Sequence, residues 1–458
     1  MNEINALFHP HSIAIIGASS NPKKIGYQIL SNIISSGYEG KIYPVNPEAK
    51  EILGIKAYPS IKEINDDIDL AIIAIPAPYV PSVLEECGIK KVKVVIVISS
   101  GFKEIGNIAL ENELLSIAKK YGMRILGPNV FGIYYASSKL NATFGPKSVY
   151  PGKIALITQS GALGIALMGW TNMNKIGLSA VVSIGNRVDI DESDILDYLS
   201  LDNETKVIII YMEGTKDGKK LMKSLYNINK PVIIIKSGRS KIGSIAASSH
   251  TGSLVGSDIV YTIAFKQCGA LRAYDVLQAF DWAKVMSMQP PPINDEAVII
   301  TNGGGIGVMA ADACEEYGVK LSILPEDLQY QFKKIIPFFG NAKNPIDLTG
   351  QANEEDYYKA LEIALKDDRI GSIILLYCQT AITNPLKIAE SIINACSDIN
   401  KTIVTCFIGD IECENAMKKL EENSIPTYPI PERAVSSLAV YYKWLKYKKR
   451  KINPTISF

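Results

Sequence analysis

Histidine is the scarcest chemistry-bearing residue in this chain: only 3 occur in 458 residues, His9, His11 and His250, too few for a multi-histidine metal centre. The 7 cysteines (Cys87, Cys268, Cys314, Cys378, Cys396, Cys406 and Cys413) are odd in number, scattered and free of any C-x-x-C pair, which argues against both a disulfide framework and a zinc site. Neither charge is in excess. With 48 Lys+Arg against 47 Asp+Glu the formal net charge is +1, so no overall field gathers nucleic acid or anionic lipid, and no such partner is expected. Long apolar runs are missing as well: residues 92–98 and 207–212 fall far short of the roughly 20 needed to cross a bilayer. The opening MNEINALFHPHS lacks the basic start and apolar core of a secretion signal, so the expected compartment is the cytoplasm.

What is present is an ordinary globular balance, 47% hydrophobic and 21% charged. At roughly 150 residues per domain the length allows about three domains. Short β-branched runs at 12–16, 69–75, 92–98, 153–157, 207–211, 231–235, 297–300 and 373–377 alternate with helical patterns. Continuous apolar strands separated by helices indicate an α/β protein with parallel sheets covered on both faces. Proline pairs and triplets at 141–152 and 286–296 mark linkers. They predict domains at 1–145, 146–290 and 291–458.

The last two thirds read as diverged copies of one unit. IALITQSGALG at 154–164 corresponds to VIITNGGGIG at 298–307, and Asn186-Arg-Val-Asp-Ile190 to Asn344-Pro-Ile-Asp-Leu348. Tyr211-Met-Glu-Gly214 falls where Tyr377-Cys-Gln-Thr380 does, which sets Gln379 in the place of Glu213.

Candidate sites follow from the strand ends. A strand leads into Gly17-Ala18-Ser19-Ser20 and then a helix, whose N-terminal amides are able to hold phosphate. The pattern is not G-x-G-x-x-G, and the next strand ends in Asn46-Pro47 with no acid for a ribose, which disfavours a dinucleotide. Further strand ends carry Pro76, Ser99-Ser100 and Gly127-Pro-Asn129, and a doubly wound sheet brings such ends to one crevice. Residues 237–257 are mostly Gly, Ser, Ala and Thr and read as a pliable loop around His250. Gly238-Arg-Ser-Lys-Ile-Gly243-Ser244 within it is no P-loop, because serine stands where the phosphate lysine belongs. A neutral imidazole is nucleophilic near pH 7 and can carry a phosphoryl group, if an acid orients its other nitrogen. Glu213 is the candidate acid; Ser160-Gly161 and Gly303-Gly304-Gly305, each between strand and helix, are candidate phosphate cradles. His9 and His11, flanking Pro10, read as structural, and the basic end at 446–451 as a solvated helix terminus.

Taken in order, Ile75-Pro-Ala-Pro78, Gly127-Pro-Asn129, Gln159-Ser-Gly161, Tyr211-Met-Glu-Gly214 and Ser249-His-Thr-Gly252 resemble the α subunit of ADP-forming acyl-CoA synthetases over nearly the whole chain. Over roughly the first 280 residues they resemble, more distantly, the α subunit of succinyl-CoA synthetase. The resemblance implies a Rossmann-like CoA-binding domain followed by two flavodoxin-like succinyl-CoA-synthetase-type domains. It implies coenzyme A contacts at Gly17, Ala18, Ser19, Ser20, Lys24, Asn46, Pro47, Pro76, Ser99, Ser100 and Asn129. It further implies a transiently phosphorylated His250 oriented by Glu213, and phosphate gripped at Gln159, Ser160, Gly161, Gly303, Gly304 and Gly305. A small carboxylic acid is the implied substrate. No P-loop and no spare domain accommodate a nucleotide, so an ATP-grasp β subunit holding Mg-ADP or Mg-ATP is implied, in an α2β2 assembly, with no metal on this chain. The runner-up is a non-catalytic CoA-binding regulator or scaffold on the same fold; a nicotinamide-dependent oxidoreductase ranks third.

Overall fold

The computed structural model describes the backbone of residues 2–251, 257–397 and 401–452, and their side chains except at 247–251 and at the two outer ends. Two compact units result, Met1–Tyr274 and Asp275–Phe458. The apolar runs become strands because each is buried on both faces: Ile13, Ala14 and Ile15, and Ile208 to Ile210, are fully enclosed. Burying each such isoleucine stabilises the fold by about 1.5–3 kcal/mol before entropy is counted.

In the first unit a parallel sheet runs, in spatial order, Lys41–Val45, Ser12–Ile16, Leu70–Ile73, Val94–Val97, Arg124–Leu126. A second sheet follows in the same unit: Leu271–Ala273, Val232–Lys236, Val207–Met212, Pro151–Thr158, Leu178–Ser183, then Gly132–Tyr135 and Leu140–Thr143. The other unit holds Lys320–Leu321, Glu296–Thr301, Ser372–Cys378, Thr402–Ile408 and Thr427–Tyr428, with Ile346–Asp347 also paired to Glu296–Thr301. Counted along the five-strand parallel path of each sheet, with the short Ile346–Asp347 strand beside the third path left out, all three follow the order 2-1-3-4-5. Each therefore has a switch point between its first and third strands, where connections depart to opposite sides and a crevice opens at the carboxyl ends.

Two features depart from the sequence reading. The second sheet is not wholly parallel: Gly132–Tyr135 pairs antiparallel with Leu178–Ser183 and with Leu140–Thr143, inside what read as the end of the first domain and a linker. Leu140 and Ala142 supply the buried apolar side chains, and Asn141 is satisfied by donating to Pro146 O at 2.9 Å, so proline-rich surroundings hide a real edge strand. The serine- and alanine-rich stretch is also not a loop at its centre. Lys241–Thr251 is helical, and small residues are compatible with that because alanine carries the best helix propensity.

The correspondence between the two segments extends to local detail. Asp191 and Asn353 both begin helices, Glu192–Leu201 and Glu354–Lys366, with reciprocal capping boxes to Asp194 and Asp356.

Candidate functional site

The predicted coenzyme A residues all fall at the carboxyl edge of the first sheet. Gly17 leaves Ser12–Ile16 with φ +90°, and an added Cβ would lie 2.4 Å from Ala74 O, so only glycine turns here. Asn46 Nδ2 donates to Ala18 O at 2.8 Å while its Oδ1 accepts from Glu48 N at 2.9 Å, locking the second strand end against the Gly17–Ser20 turn. Ser99 Oγ donates to Ile75 O, beside Pro76, and Ser99 O accepts from Asn129 N at 2.9 Å. Lys24 and Ser100 are exposed on this rim, and Lys24 immediately precedes the helix Ile25–Ser35, whose start has no side-chain cap. The crevice thus combines an uncapped helix N-terminus with a nearby cation, which suits an anionic ligand.

The second site is built at the next switch point, between Pro151–Thr158 and Val207–Met212. Ser160 caps the helix Gly161–Met173 by accepting from Leu163 N, and Thr158 Oγ1 both accepts from Ser160 N at 3.1 Å and donates to Ser160 O at 3.0 Å. Gln159 crosses to the neighbouring strand end. Its Oε1 accepts from Glu213 N at 2.7 Å and its Nε2 donates to Gly214 O at 2.7 Å. Glu213, 7% exposed, is therefore held beside the glycine-led helix start. His250 falls in the last turn of Lys241–Thr251, and its side chain lies outside the described residues.

Several polar groups around Glu213 were not singled out from the sequence. Arg187, at φ +58° and 7% exposed, donates from Nη1 to Gly214 O at 2.7 Å and to Glu192 Oε2 at 3.3 Å. Lys216 Nζ donates to Arg187 O at 2.5 Å. Lys236, buried at the end of its strand, donates to Ser237 O at 2.5 Å and lies 4.7 Å from the ring centre of Tyr261, whose hydroxyl accepts from Thr215 N at 3.2 Å. Burial drives the pKa of Lys236 down, with Asp258 and Glu213 pulling it back up; burial likewise lowers Lys216. The signals for these residues were a charged residue closing the apolar run 232–236 and the arginine inside the repeated N-x-[IV]-D-[IL] segment.

Gly303, Gly304 and Gly305 belong to the second unit, at the start of Gly304–Tyr317. The threonine turn recurs there, Thr301 with Gly303 at 3.0 Å both ways, and Asn302 takes the part of Gln159 by clamping Cys378 N and Cys378 O at 2.8 Å. Since Thr158 pairs with Tyr211 and Thr301 with Leu376, strand register sets Cys378, not Gln379, opposite to Glu213 in the duplicated pattern. Asp347 Oδ2 lies 3.3 Å from where a Cβ on Gly304 would stand, placing a carboxylate beside this helix start; its counterpart Asp189 instead pairs with Arg124 at 2.8 Å. His9 and His11 line a cleft of about 280 Å³ with Glu39 and Lys139, and His9 packs edge-on against Tyr135. Among the described residues no group of three or more His, Cys, Asp and Glu is arranged to hold a metal, and no helix is long and apolar enough to cross a membrane.

Three sheets, each with a glycine turn at the carboxyl end of a parallel strand, define a doubly wound α/β chain with three ligand crevices. Family models match accordingly: a CoA binding domain over residues 11–136, a succinyl-CoA ligase like flavodoxin domain over 151–286, and a ligase-CoA domain over 297–451. The chain is 53% identical over 457 residues to acetate–CoA ligase [ADP-forming] I subunit alpha of Pyrococcus furiosus, covering 98% of this chain and 99% of that one. It is 42% identical to acetate–CoA ligase [ADP-forming] of Methanocaldococcus jannaschii, over 96% of this chain and 63% of that longer one. Its fold superposes with a TM-score of 0.97, at 44% identity and 100% coverage of both chains, on the Ca. Korarchaeum cryptofilum dinucleotide forming acetyl-coenzyme A synthetase 1, solved in complex with phosphate and ADP. The chain belongs to the ADP-forming acyl-CoA synthetase family, acid–thiol ligases, as an α subunit.

Proposed function

We propose that this α subunit interconverts acyl-CoA, ADP and phosphate with a carboxylic acid, ATP and coenzyme A by way of a phosphorylated His250. In the first step phosphate oxygen attacks the thioester carbonyl; the C–S bond breaks, and acyl phosphate and coenzyme A form. An imidazole nitrogen of His250 then attacks phosphorus, releasing the carboxylate. Finally a terminal oxygen of ADP takes the phosphoryl group and regenerates the histidine.

The observation that carries this reading is the Gln159 clamp. It holds Glu213 at the mouth of a crevice whose other wall is the N-terminus of Gly161–Met173, and the His250-bearing helix begins just beyond the adjacent strand. A buried carboxylate beside an anion-binding helix start is what orientation of an imidazole and capture of a phosphoryl group require. Coenzyme A is assigned to the first-sheet crevice at Gly17–Ser20, Lys24, Asn46-Pro47, Pro76, Ser99-Ser100 and Asn129, and phosphate to Gln159–Gly161 and Gly303–Gly305. The domains run 1–145, 146–290 and 291–458; residues up to Tyr274 share one compact unit, and residues 275–290 of the second domain fall in the other. The P. furiosus relative's designation as a subunit alpha supports a partner, assigned here as an ATP-grasp β subunit that holds Mg-ADP in an α2β2, cytoplasmic enzyme. Relatives named for acetate favour a small carboxylic acid.

The test is incubation of the chain and its β subunit with Mg²⁺ and γ-labelled ATP. Acid-labile, base-stable label that disappears in His250→Ala is expected. Label undiminished in that variant, or no label at all, overturns the mechanism and leaves a CoA-binding scaffold.

A further inference from the structure

Between the coenzyme A crevice and the Glu213 turn run hydrogen bonds from two adjacent residues, Asn186 and Arg187, joined to each other through the backbone. Asn186 Nδ2 donates one proton to Glu104 Oε2 at 2.6 Å and the other to Glu111 Oε2 at 2.8 Å, and its Oδ1 accepts from Asn129 Nδ2 at 3.4 Å. Glu104 Oε1 in turn accepts from Gly101 N at 2.5 Å and Phe102 N at 3.2 Å, pinning the loop that carries Ser99 and Ser100. On the other side Arg187 reaches Gly214 O, next to Glu213. The backbone is equally committed: Asn186 N donates to Pro128 O at 3.0 Å and Val188 N to Gly127 O at 2.9 Å. Gly185 stands at φ +49° where a Cβ would fall 2.3 Å from Pro128 O. Glu111 is buried within its helix, so its carboxylate cannot swing away to solvent, and Glu104 is half-buried.

We propose that Asn186 and Arg187 are positioning residues that fix the distance between the thioester crevice and the phosphate-handling turn. This rests on the proposed function, in which phosphate must meet an acyl-CoA carbonyl and its product must then meet His250. The brace joins two segments, 99–104 and 213–214, that share no strand pairing, and both its carboxylate bonds are charge-assisted. Loss of register of about 1 Å between reacting groups can cost about a hundredfold in rate. The step that joins the two crevices, formation of acyl phosphate from acyl-CoA, is the one that feels it. Phosphorylation of the histidine by ATP does not use the coenzyme A crevice and is spared.

Asn186→Ala and Glu104→Gln, each assembled with the β subunit, test this by two readouts on one sample: label taken up from γ-labelled ATP, and acyl-CoA turnover per labelled site. The ratio cancels any difference in folded fraction. Turnover per labelled site is expected to fall about a hundredfold in Asn186→Ala and by less in Glu104→Gln, through kcat. A ratio unchanged in both variants, because turnover and label fall together or neither falls, overturns the brace while a labelled wild type keeps the phosphohistidine reading. An unlabelled wild type overturns both.

Discussion

The ion pair behind the Glu213 turn gives the sharpest energetic expectation. Arg187 and Glu192 are 7% and 1% exposed and meet at 3.3 Å, and the same guanidinium nitrogen also serves Gly214 O. Replacing Arg187 with Met leaves a carboxylate in the interior without its cation, and replacing Glu192 with Met strands the cation; each is expected to cost about 3–5 kcal/mol. If the effects were independent, the double variant would lose about 6–10 kcal/mol. With both charges gone the interior is apolar, and what remains is chiefly the loss of one of the two hydrogen bonds to Gly214 O, which keeps its bond from Gln159 Nε2, about 1–3 kcal/mol at most. The coupling energy should therefore exceed about 3 kcal/mol, well above the scatter of distant pairs. Urea unfolding of wild type, the two single variants and the double variant closes the cycle. Additive losses would refute the reasoning, since they would mean that neither charge depends on the other for its place in the interior.

Two further expectations concern the crevice and the acid limb of stability. Gly17→Ala forces a Cβ against Ala74 O at φ +90° and should destabilise by about 1–3 kcal/mol while weakening coenzyme A binding, both readable by calorimetry; an unchanged melting temperature would contradict the assigned turn. Asp202 is opposed by burial, yet hydrogen bonds from Thr205, Glu204 N and Tyr135 hold its pKa below the ordinary carboxylate value. Its contribution is thus fully present above that ordinary value, about 3.9, and is lost as pH falls through the lower folded one. Asp202→Asn should flatten the decline of melting temperature on the acid side, and a profile parallel to wild type would be the contrary result.

Much of the site was legible because it sits on strand ends, where local pattern and fold rule coincide. Gly17, Gln159-Ser-Gly161 and Asn302-Gly303 each follow an apolar run, and a parallel sheet leaves little choice about where such turns gather. Glu213 was legible for the same reason. The brace was not, because Asn186 meets Glu104 and Glu111 across 82 and 75 residues of sequence, and no periodicity carries a contact of that range. Nor was the helix at Lys241–Thr251: glycine and serine there outweigh the two alanines in any propensity reading. The alignment of Glu213 with Gln379 failed by a single residue, since matching tyrosines in sequence is a weaker guide than which residues stand abreast in the sheets.

That single residue has a chemical consequence. Where one copy of the motif offers a carboxylate, the other offers the thiol of Cys378, and partial burial raises its pKa, so that the sulfur stays protonated and uncharged under neutral conditions. The two strand-end turns are thus alike in backbone hydrogen bonding and unequal in acidity, so that the same local frame presents an acid at one site and a neutral thiol at the other.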